Sequence, residues 1–253
     1  MITDPWFYAV AVPAVLLFGI SKGGFAGGFG IVAVPMMALV ISPVQAAAIL
    51  LPILCVMDLV ALWRFRGEWV GSELRLLLPA SLVGIGAGTL LFEYMSPAVV
   101  RLVLGGLAVL FTLHFWQHRR RSAHARPPDF PEAYGLVAGS AAGFTSFVAH
   151  AGGPPFSMYL LRRPLDRTGF AATAIVFFAV VNYVKLVPYA WLGQLSPENL
   201  ATSAALVILA PVGVLIGEQL HRRISDRTFF TIAYLLLFAV GLKLALDGAV
   251  ELL

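Results

Sequence analysis

The sequence contains few charged residues, and this shortage decides its class. Charged residues make up 12% of the 253 residues and hydrophobic residues 60%, with a mean hydropathy of +0.89. Because soluble domains carry about 25% charged residues, this chain cannot cover its own surface with polar groups in water. Several apolar runs approach the ~20 residues that cross a hydrocarbon core. The composition indicates an integral membrane protein, with the lipid bilayer as a partner.

Cysteine and catalytic motifs are also scarce. Cys55 is the only cysteine, so an internal disulfide is excluded, and its apolar surroundings predict an inert buried side chain. No His, Cys or Asp cluster has the spacing of a metal site, and neither a nucleophile elbow nor a nucleotide-binding lysine motif occurs. We expect no enzyme, no metal and no cofactor, so uphill transport would use an ion gradient. Residues 1–4 lack a basic region, and we expect no cleaved signal peptide.

The alternating pattern of membrane β-barrel strands, about ten residues long, is missing as well. The apolar runs are continuous, and helices are the remaining way to span a bilayer. The sequence predicts an all-α polytopic membrane protein with ten helical segments, some too short to span alone. These segments lie at 5–20, 25–41, 44–63, 72–92, 97–116, 132–149, 153–162, 167–190, 197–220 and 226–249.

What the chain does have is a pair of glycine-rich interruptions at matching points of its two halves. Residues 21–35 read SKGGFAGGFGIVAVP and residues 143–155 read GFTSFVAHAGGPP. Two constant offsets relate the halves, one before and one after a short insertion, which favours an internal duplication. The aligned pairs are Gly24 with Gly143, Pro35 with Pro154, Gly84 with Gly213, Gly88 with Gly217, and Ser96 with Ser225.

The duplication sets the expected domains and topology. We expect a first transmembrane repeat at 1–116, a basic cytoplasmic linker at 117–131 and a second repeat at 132–253. Five segments in each half would invert the second repeat relative to the first, a frequent plan for secondary transporters. Basic loops on one side would be cytoplasmic by the positive-inside rule, which also explains the net charge of +4 without a nucleic-acid partner. The arginines of these loops are Arg64, Arg66, Arg75, Arg119, Arg120, Arg121, Arg126, Arg162, Arg163, Arg167, Arg222, Arg223 and Arg227.

Paired helix breaks are a sequence pointer to the solute site of a secondary transporter. Glycine lets the backbone approach a ligand, and the N–H groups of a following helix N-terminus attract anions. Glycines spaced by four also serve close helix packing, but two clusters in register favour a solute site. The candidate solute-binding residues are Lys22, Gly23, Gly24, Phe25, Gly27, Gly28, Gly143, Phe144, Thr145, Ser146, His150, Gly152, Gly153, Asn182 and Lys185.

Ionisable residues inside spans are costly, so each is a functional candidate. Lys22 would either offer positive charge to an anion or extend to the membrane interface. Asp58 and Asn182 occupy roughly equivalent places in the two halves, and Lys185 lies one helical turn after Asn182 on the same face. Asp58 would pair with Lys22 or Lys185, either as a structural salt bridge, the favoured alternative, or as a proton carrier that couples transport.

Three polar residues of the second cluster have two interpretations each. His150 would donate to a bound anion or titrate near neutral pH, or it would be an interfacial histidine beside a loop. Thr145 and Ser146 would donate hydroxyl groups to the solute or bond to the backbone of their own helix.

These motifs resemble the two signatures of the TauE/SafE sulfite exporter family. The first is the glycine-rich run of residues 18–35, and the second covers residues 135–155. Phe29 interrupts the glycine run that the first signature leads us to expect. The resemblance covers nearly the whole chain and implies transport, usually outward, of sulfite, sulfoacetate, taurine or similar sulfonates. The implied site lies between the two glycine motifs.

From the residues and the resemblance together we expect a secondary transporter in the bacterial inner membrane. It would export a small organosulfur anion by alternating access, coupled to protons, to Na⁺ or to the membrane potential. A passive anion channel on the same scaffold and a non-transporting membrane subunit are the alternatives. The sequence leaves a homodimer open.

Overall fold

The computed structural model describes residues 1–24, 30–64, 67–92, 94–121, 131–221, 223 and 225–252. Every regular element in these ranges is helical, which confirms the all-α class for the described part of the chain. The elements are α1 (Pro5–Gly24), a 3₁₀ turn (Gly30–Val32), α2 (Ala33–Met37), α3 (Pro43–Arg64), α4 (Gly71–Phe92), α5 (Pro97–Arg121), α6 (Glu132–Ala149), α7 (Gly153–Leu160), α8 (Arg167–Trp191), α9 (Pro197–Leu206), α10 (Leu209–His221) and α11 (Asp226–Leu252).

Six of the described helices are long and apolar enough to cross a membrane: α1, α3, α4, α5, α8 and α11. The bent pair of α9 and α10 makes a seventh if it forms one span. Helices α2 and α7, with five and eight residues, are too short to cross, because eight residues extend only ~12 Å. The described helices therefore provide six or seven candidate crossings for the ten predicted segments. The side of the membrane on which the basic loops lie remains a prediction.

Two predicted segments differ from the observed helices near glycine or proline. The segment expected at 25–41 is described from Gly30 only, as the 3₁₀ turn and α2. The segment expected at 197–220 is split between α9 and α10 with a bend of 40°. Pro211 has no N–H to offer the carbonyl of Val207, and the Ala210 N–H bonds to that carbonyl instead, at 2.9 Å. The proline thus explains the break.

Helices α3 and α8 form the centre of the molecule. In the most apolar 18-residue stretch of α3, 67% is buried inside the protein, against 33–50% in the corresponding stretches of the other five candidate spans. Helix α3 packs against α8, α9 and α10, and α8 also packs against α4. Around this centre, the most extensive helix contacts are between α4 and α6, between α5 and α11, and between α1 and α10.

Glycines bring these outer helices into backbone contact. A Cβ atom at Gly84 of α4 would lie 1.9 Å from the carbonyl oxygen of Ser140 in α6. Between α1 and α10, a Cβ atom at Gly23 would lie 2.0 Å from the carbonyl oxygen of Val214. Such distances exclude any side chain, so glycine is required for the helices to approach this closely. Both of these helix pairs depend on this packing.

We predict that Gly84→Ala destabilises the protein, since the methyl group must force α4 and α6 apart. Overpacking of this kind costs about 1–3 kcal/mol. The measurement is the apparent melting temperature of the detergent-purified protein. Gly86→Ala is the matched control in the same helix, because nothing lies within 4 Å of a Cβ atom there. Equal melting temperatures for the two variants would contradict the described packing.

Candidate functional site

A buried ion pair joins the end of α1 to the middle of α3. The Lys22 ammonium pairs with Oδ1 of Asp58, and the two side chains are 4% and 0% exposed. From α8, Nδ2 of Asn182 donates a hydrogen bond of 2.7 Å to Oδ2 of Asp58. Both carboxylate oxygens therefore face a partner from a different helix. Of the two pairings that the sequence left open, Asp58 makes the one with Lys22. The Lys22 side chain therefore lies in the protein core and does not extend to the membrane interface.

The second lysine, Lys185 of α8, is fully buried and has three neutral partners. Its Nζ lies 2.9 Å from the carbonyl oxygen of Ser146 and 3.0 Å from the hydroxyl of the same residue. It also lies 2.7 Å from Nδ1 of His150. An ammonium group has three N–H donors, and each of these partners can accept one.

The hydrogen bonds of His150 fix its tautomer. Its Nε2 lies 2.9 Å from the carbonyl oxygen of Ala47, and a carbonyl can only accept. Nε2 therefore carries the hydrogen and donates to Ala47, which leaves Nδ1 of the neutral ring as the acceptor for Lys185. The side chain bridges α3 and α8.

The backbone of His150 has a conformation that L-residues rarely adopt. It caps the C-terminus of α6 with φ 52° and ψ 29°, in the left-handed region, and no other described non-glycine residue has a positive φ. This conformation costs a residue with a Cβ atom roughly 1–2 kcal/mol, and glycine usually occupies such a cap. A histidine kept there by two side-chain hydrogen bonds is typical of a functional position.

The N-terminus of α7 follows directly and points to the same region. Gly152 is the N-cap, Gly153 begins the helix, and Pro154 and Pro155 fill its first turn. Proline has no N–H, so Gly152 and Gly153 are the residues of this turn that carry a donor. The Phe156 N–H already bonds to the Gly152 carbonyl at 3.2 Å. This helix end thus offers two N–H groups, fewer than a proline-free helix would.

These groups surround one cavity, which we call the central cavity. It contains about 330 Å³ of space not filled by protein atoms, part of it open to the outside, and α1, α3, α6, α7 and α8 all contribute to its lining. The lining residues are Phe18, Lys22, Leu54, Ser146, His150, Gly153, Phe178 and Asn182. Residues from both halves of the sequence therefore meet at one place.

Apolar lining residues were not among the sequence candidates. Phe18, Leu54 and Phe178 each lie four residues before a polar residue of the site, namely Lys22, Asp58 and Asn182. Residues four apart share a helix face. The helical period would have identified all three from their polar neighbours.

Other sequence candidates lie beside the central cavity and do not line it. Gly23 packs on α10, and a Cβ atom at Gly143 would lie 2.1 Å from the carbonyl oxygen of Ser81. The Thr145 hydroxyl donates to the carbonyl of Ala141 in its own helix, at 2.8 Å, the intrahelical alternative considered for it. Phe144 is a partly buried core residue, and Gly24 ends α1.

Three candidates of the first glycine cluster, Phe25, Gly27 and Gly28, lie outside the described residues. The same holds for most of the expected linker, 122–130, whereas α5 extends as far as Arg121. Among the described residues, no group of three or more His, Cys, Asp or Glu side chains could hold a metal ion.

The formal charge of this centre is positive. With each side chain in its usual ionised form, its described residues are two lysines, Lys22 and Lys185, against one carboxylate, Asp58. Residues 25–29 contain no charged side chain. A buried net charge is costly unless it is compensated, so the arrangement favours an anion in the cavity.

The fold and the site define a helical integral membrane protein with a buried, net-positive polar centre. The family comparison agrees: the model of the sulfite exporter TauE/SafE family matches residues 11–244, and the chain belongs to this family. Membership implies membrane transport of sulfite or related sulfur-containing anions. Comparison with curated proteins and with solved structures finds no match.

We predict that Asp58→Asn strongly destabilises the protein, because Lys22 would remain buried without a counter-charge. Breaking a buried pair costs about 3–5 kcal/mol, whereas replacing both partners is often neutral. The double variant Lys22→Met/Asp58→Asn should therefore recover most of the loss. The measurement is thermal unfolding in detergent.

The control for this experiment is Asp247→Asn, which removes an exposed pair. Asp247 lies 2.7 Å from Lys243 in α11, and both are about half exposed. Exposed pairs contribute little to stability, so no measurable change is expected. A double variant as unstable as Asp58→Asn alone would contradict the role of charge compensation.

Proposed function

We propose that the protein is a secondary transporter that exports a small organosulfur anion by alternating access. The anion, sulfite or a sulfonate such as sulfoacetate or taurine, binds in the central cavity. The observation that carries the proposal is the buried charge balance of two lysines to one carboxylate, beside the N-terminus of α7. Transport is coupled to protons, to Na⁺ or to the membrane potential.

The chemistry of the cavity suits a sulfur oxyanion. The oxygens of a sulfonate accept several N–H bonds at once, and its negative charge persists at cellular pH. Lys22 and Asn182 line the cavity with N–H donors, and Gly153 adds the first turn of α7. Charge-assisted hydrogen bonds of this kind are about twice as strong as neutral ones. Phe18 and Phe178 would cover the apolar part of a sulfonate.

The helix contacts support the internal repeat on which an inverted topology depends. With α1 paired to α6, α3 to α8, α4 to α9–α10 and α5 to α11, exchanging the halves converts the α1–α10 contact into the α6–α4 contact. The same exchange maps the α5–α11 and α3–α8 contacts onto themselves. This regularity is expected of two repeats related by a two-fold axis, with halves at 1–116 and 132–253.

By the positive-inside rule, the basic loops of this transporter lie on the cytoplasmic side of a bacterial inner membrane. Alternating access then moves one repeat against the other around the central cavity. In the passive-channel alternative the solute would cross without this movement. In the non-transporting alternative the glycines would serve only helix packing, as Gly23 and Gly84 do.

We predict that one sulfur anion selectively stabilises the purified protein against heat. The panel is sulfite, sulfate, sulfoacetate, taurine, isethionate and acetate. A ligand that binds only the folded state adds about 2.7 kcal/mol at a hundredfold excess over its dissociation constant. If no sulfur compound of the panel raised the melting temperature, the result would contradict the proposed substrate class.

Gly153→Val should abolish this stabilisation, and the melting temperature of the variant without ligand reports whether the protein is folded. Gly153 lines the central cavity, and an added isopropyl group would compete with the anion. Gly106→Val in α5 is the control, since nothing lies within 4 Å of a Cβ atom there. A separate assay uses the wild-type protein alone in vesicles, where exchange of labelled sulfite would exclude the non-transporting alternative. Unaltered ligand stabilisation of Gly153→Val would remove the anion from this cavity.

A further inference from the structure

The two lysines of the site differ in what compensates their charge. Lys22 forms an ion pair with Asp58, whose second oxygen is bonded to Asn182. Lys185 forms no ion pair with any described carboxylate, and its three partners are neutral. In the formal count, the positive charge without a counter-charge is therefore that of Lys185.

Lys185 is not a lining residue of the central cavity, but its partners Ser146 and His150 are. Its charge thus acts on the cavity across a single layer of polar groups. Two of its three partners, the Ser146 carbonyl and Nδ1 of the Nε2-protonated His150, can only accept hydrogen bonds. In its protonated form Lys185 donates one N–H to each of its three partners, so the geometry accommodates a charged side chain there.

We propose that Lys185 is the fixed charge that neutralises the substrate in transit, so that the loaded site crosses the membrane uncharged and the empty site returns with one positive charge. This inference rests on the proposed transport function and narrows its substrate to a sulfonate with one net negative charge, which excludes doubly charged sulfoacetate and zwitterionic taurine. It also adds the driving force, the membrane potential. His150 is a positioning residue, which holds the ammonium group through Nδ1 and is itself held by Ala47. Asp58 is the counter-charge of Lys22 and carries no coupling proton.

The energetics of the membrane favour this cycle. Moving one elementary charge across the membrane potential is worth about 2.3 kcal/mol per 100 mV. An inside-negative potential leaves the neutral loaded site unaffected and draws the positive empty site back towards the cytoplasm. Each cycle then exports one negative charge, in the direction that the potential favours.

The inference separates two modes of transport that can be measured on one sample. Exchange of internal for external substrate uses only the loaded site, whereas net flux also needs the empty site to return. The assay uses wild-type protein in vesicles with labelled isethionate, a sulfonate that stays a monoanion over the pH range used. Potassium gradients with valinomycin set the potential, and pH gradients are applied separately.

The expected result is exchange at a rate independent of the potential, and net accumulation of about tenfold per 59 mV on the positive side. A pH gradient at zero potential should produce no accumulation. Accumulation driven by the pH gradient, or exchange as sensitive to potential as net flux, would overturn the inference. A wild-type protein that exchanges sulfite but not isethionate would overturn the monovalent-sulfonate assignment and leave the proposed transport function intact. Exchange of neither compound would contradict both the inference and the proposed transport function.

Variants at Lys185 test the residue itself. Lys185→Gln makes the empty site neutral, so the loaded site carries one negative charge and exchange becomes sensitive to the potential. Lys185→Arg keeps a permanent charge and should keep exchange independent of the potential, whatever its rate. The matched control is Lys243→Gln, an exposed lysine of α11 paired with Asp247. Exchange by Lys185→Gln that remains independent of the potential would overturn the assignment.

His150→Asn tests the positioning role. Asparagine tolerates the left-handed conformation, and its Oδ1 replaces Nδ1 as an acceptor for Lys185. Exchange should therefore remain independent of the potential. His150→Leu removes an acceptor that stabilises the ammonium form, so that the buried Lys185 loses its proton and exchange becomes sensitive to the potential. Identical voltage behaviour of these two variants would contradict the role of His150.

Discussion

The site depends on the ion pair between Lys22 and Asp58. A lysine or aspartate left unpaired at this depth is costly, so removing either partner would add a second uncompensated charge to that of Lys185. The pair fixes the last turn of α1 against α3, and the bond from Asn182 extends the connection to α8. Because α1 and α3 belong to the first half of the chain and α8 to the second, one carboxylate joins both halves beside the cavity.

Glycine packing allows this arrangement to form. Backbone contact at Gly23 brings α1 against α10, and contact at Gly143 brings α6 against α4. Both helices end shortly after these contacts, at Gly24 and Ala149. The glycine motifs therefore combine two roles that initially looked like alternatives. Some of their glycines hold the helices together, whereas Gly153 lines the cavity.

Much of this fold follows from the sequence, because long apolar runs and glycine-rich breaks are local signals. Most of the expected helices agree with the structure to within a few residues, as α3 and α8 do. The bend before Pro211 was missed, although proline is also a local signal. The partner of Asp58 could not be predicted, because the sequence allows either Lys22 or Lys185, which lie on two other helices. Only the three-dimensional packing decides between them. The contact of His150 with Ala47 is equally long-range.

The roughly equivalent places of Asp58 and Asn182 explain how the charge of the site is set. A carboxylate at both places would balance both lysines and leave no net charge to attract an anion. An amide at both places would leave two uncompensated ammonium groups in the core, at a high cost in desolvation. One aspartate and one asparagine leave a single positive charge, and on the proposed function this is the charge that one monovalent anion neutralises. The difference between the two halves at this pair is thus as important for the site as the similarity between them.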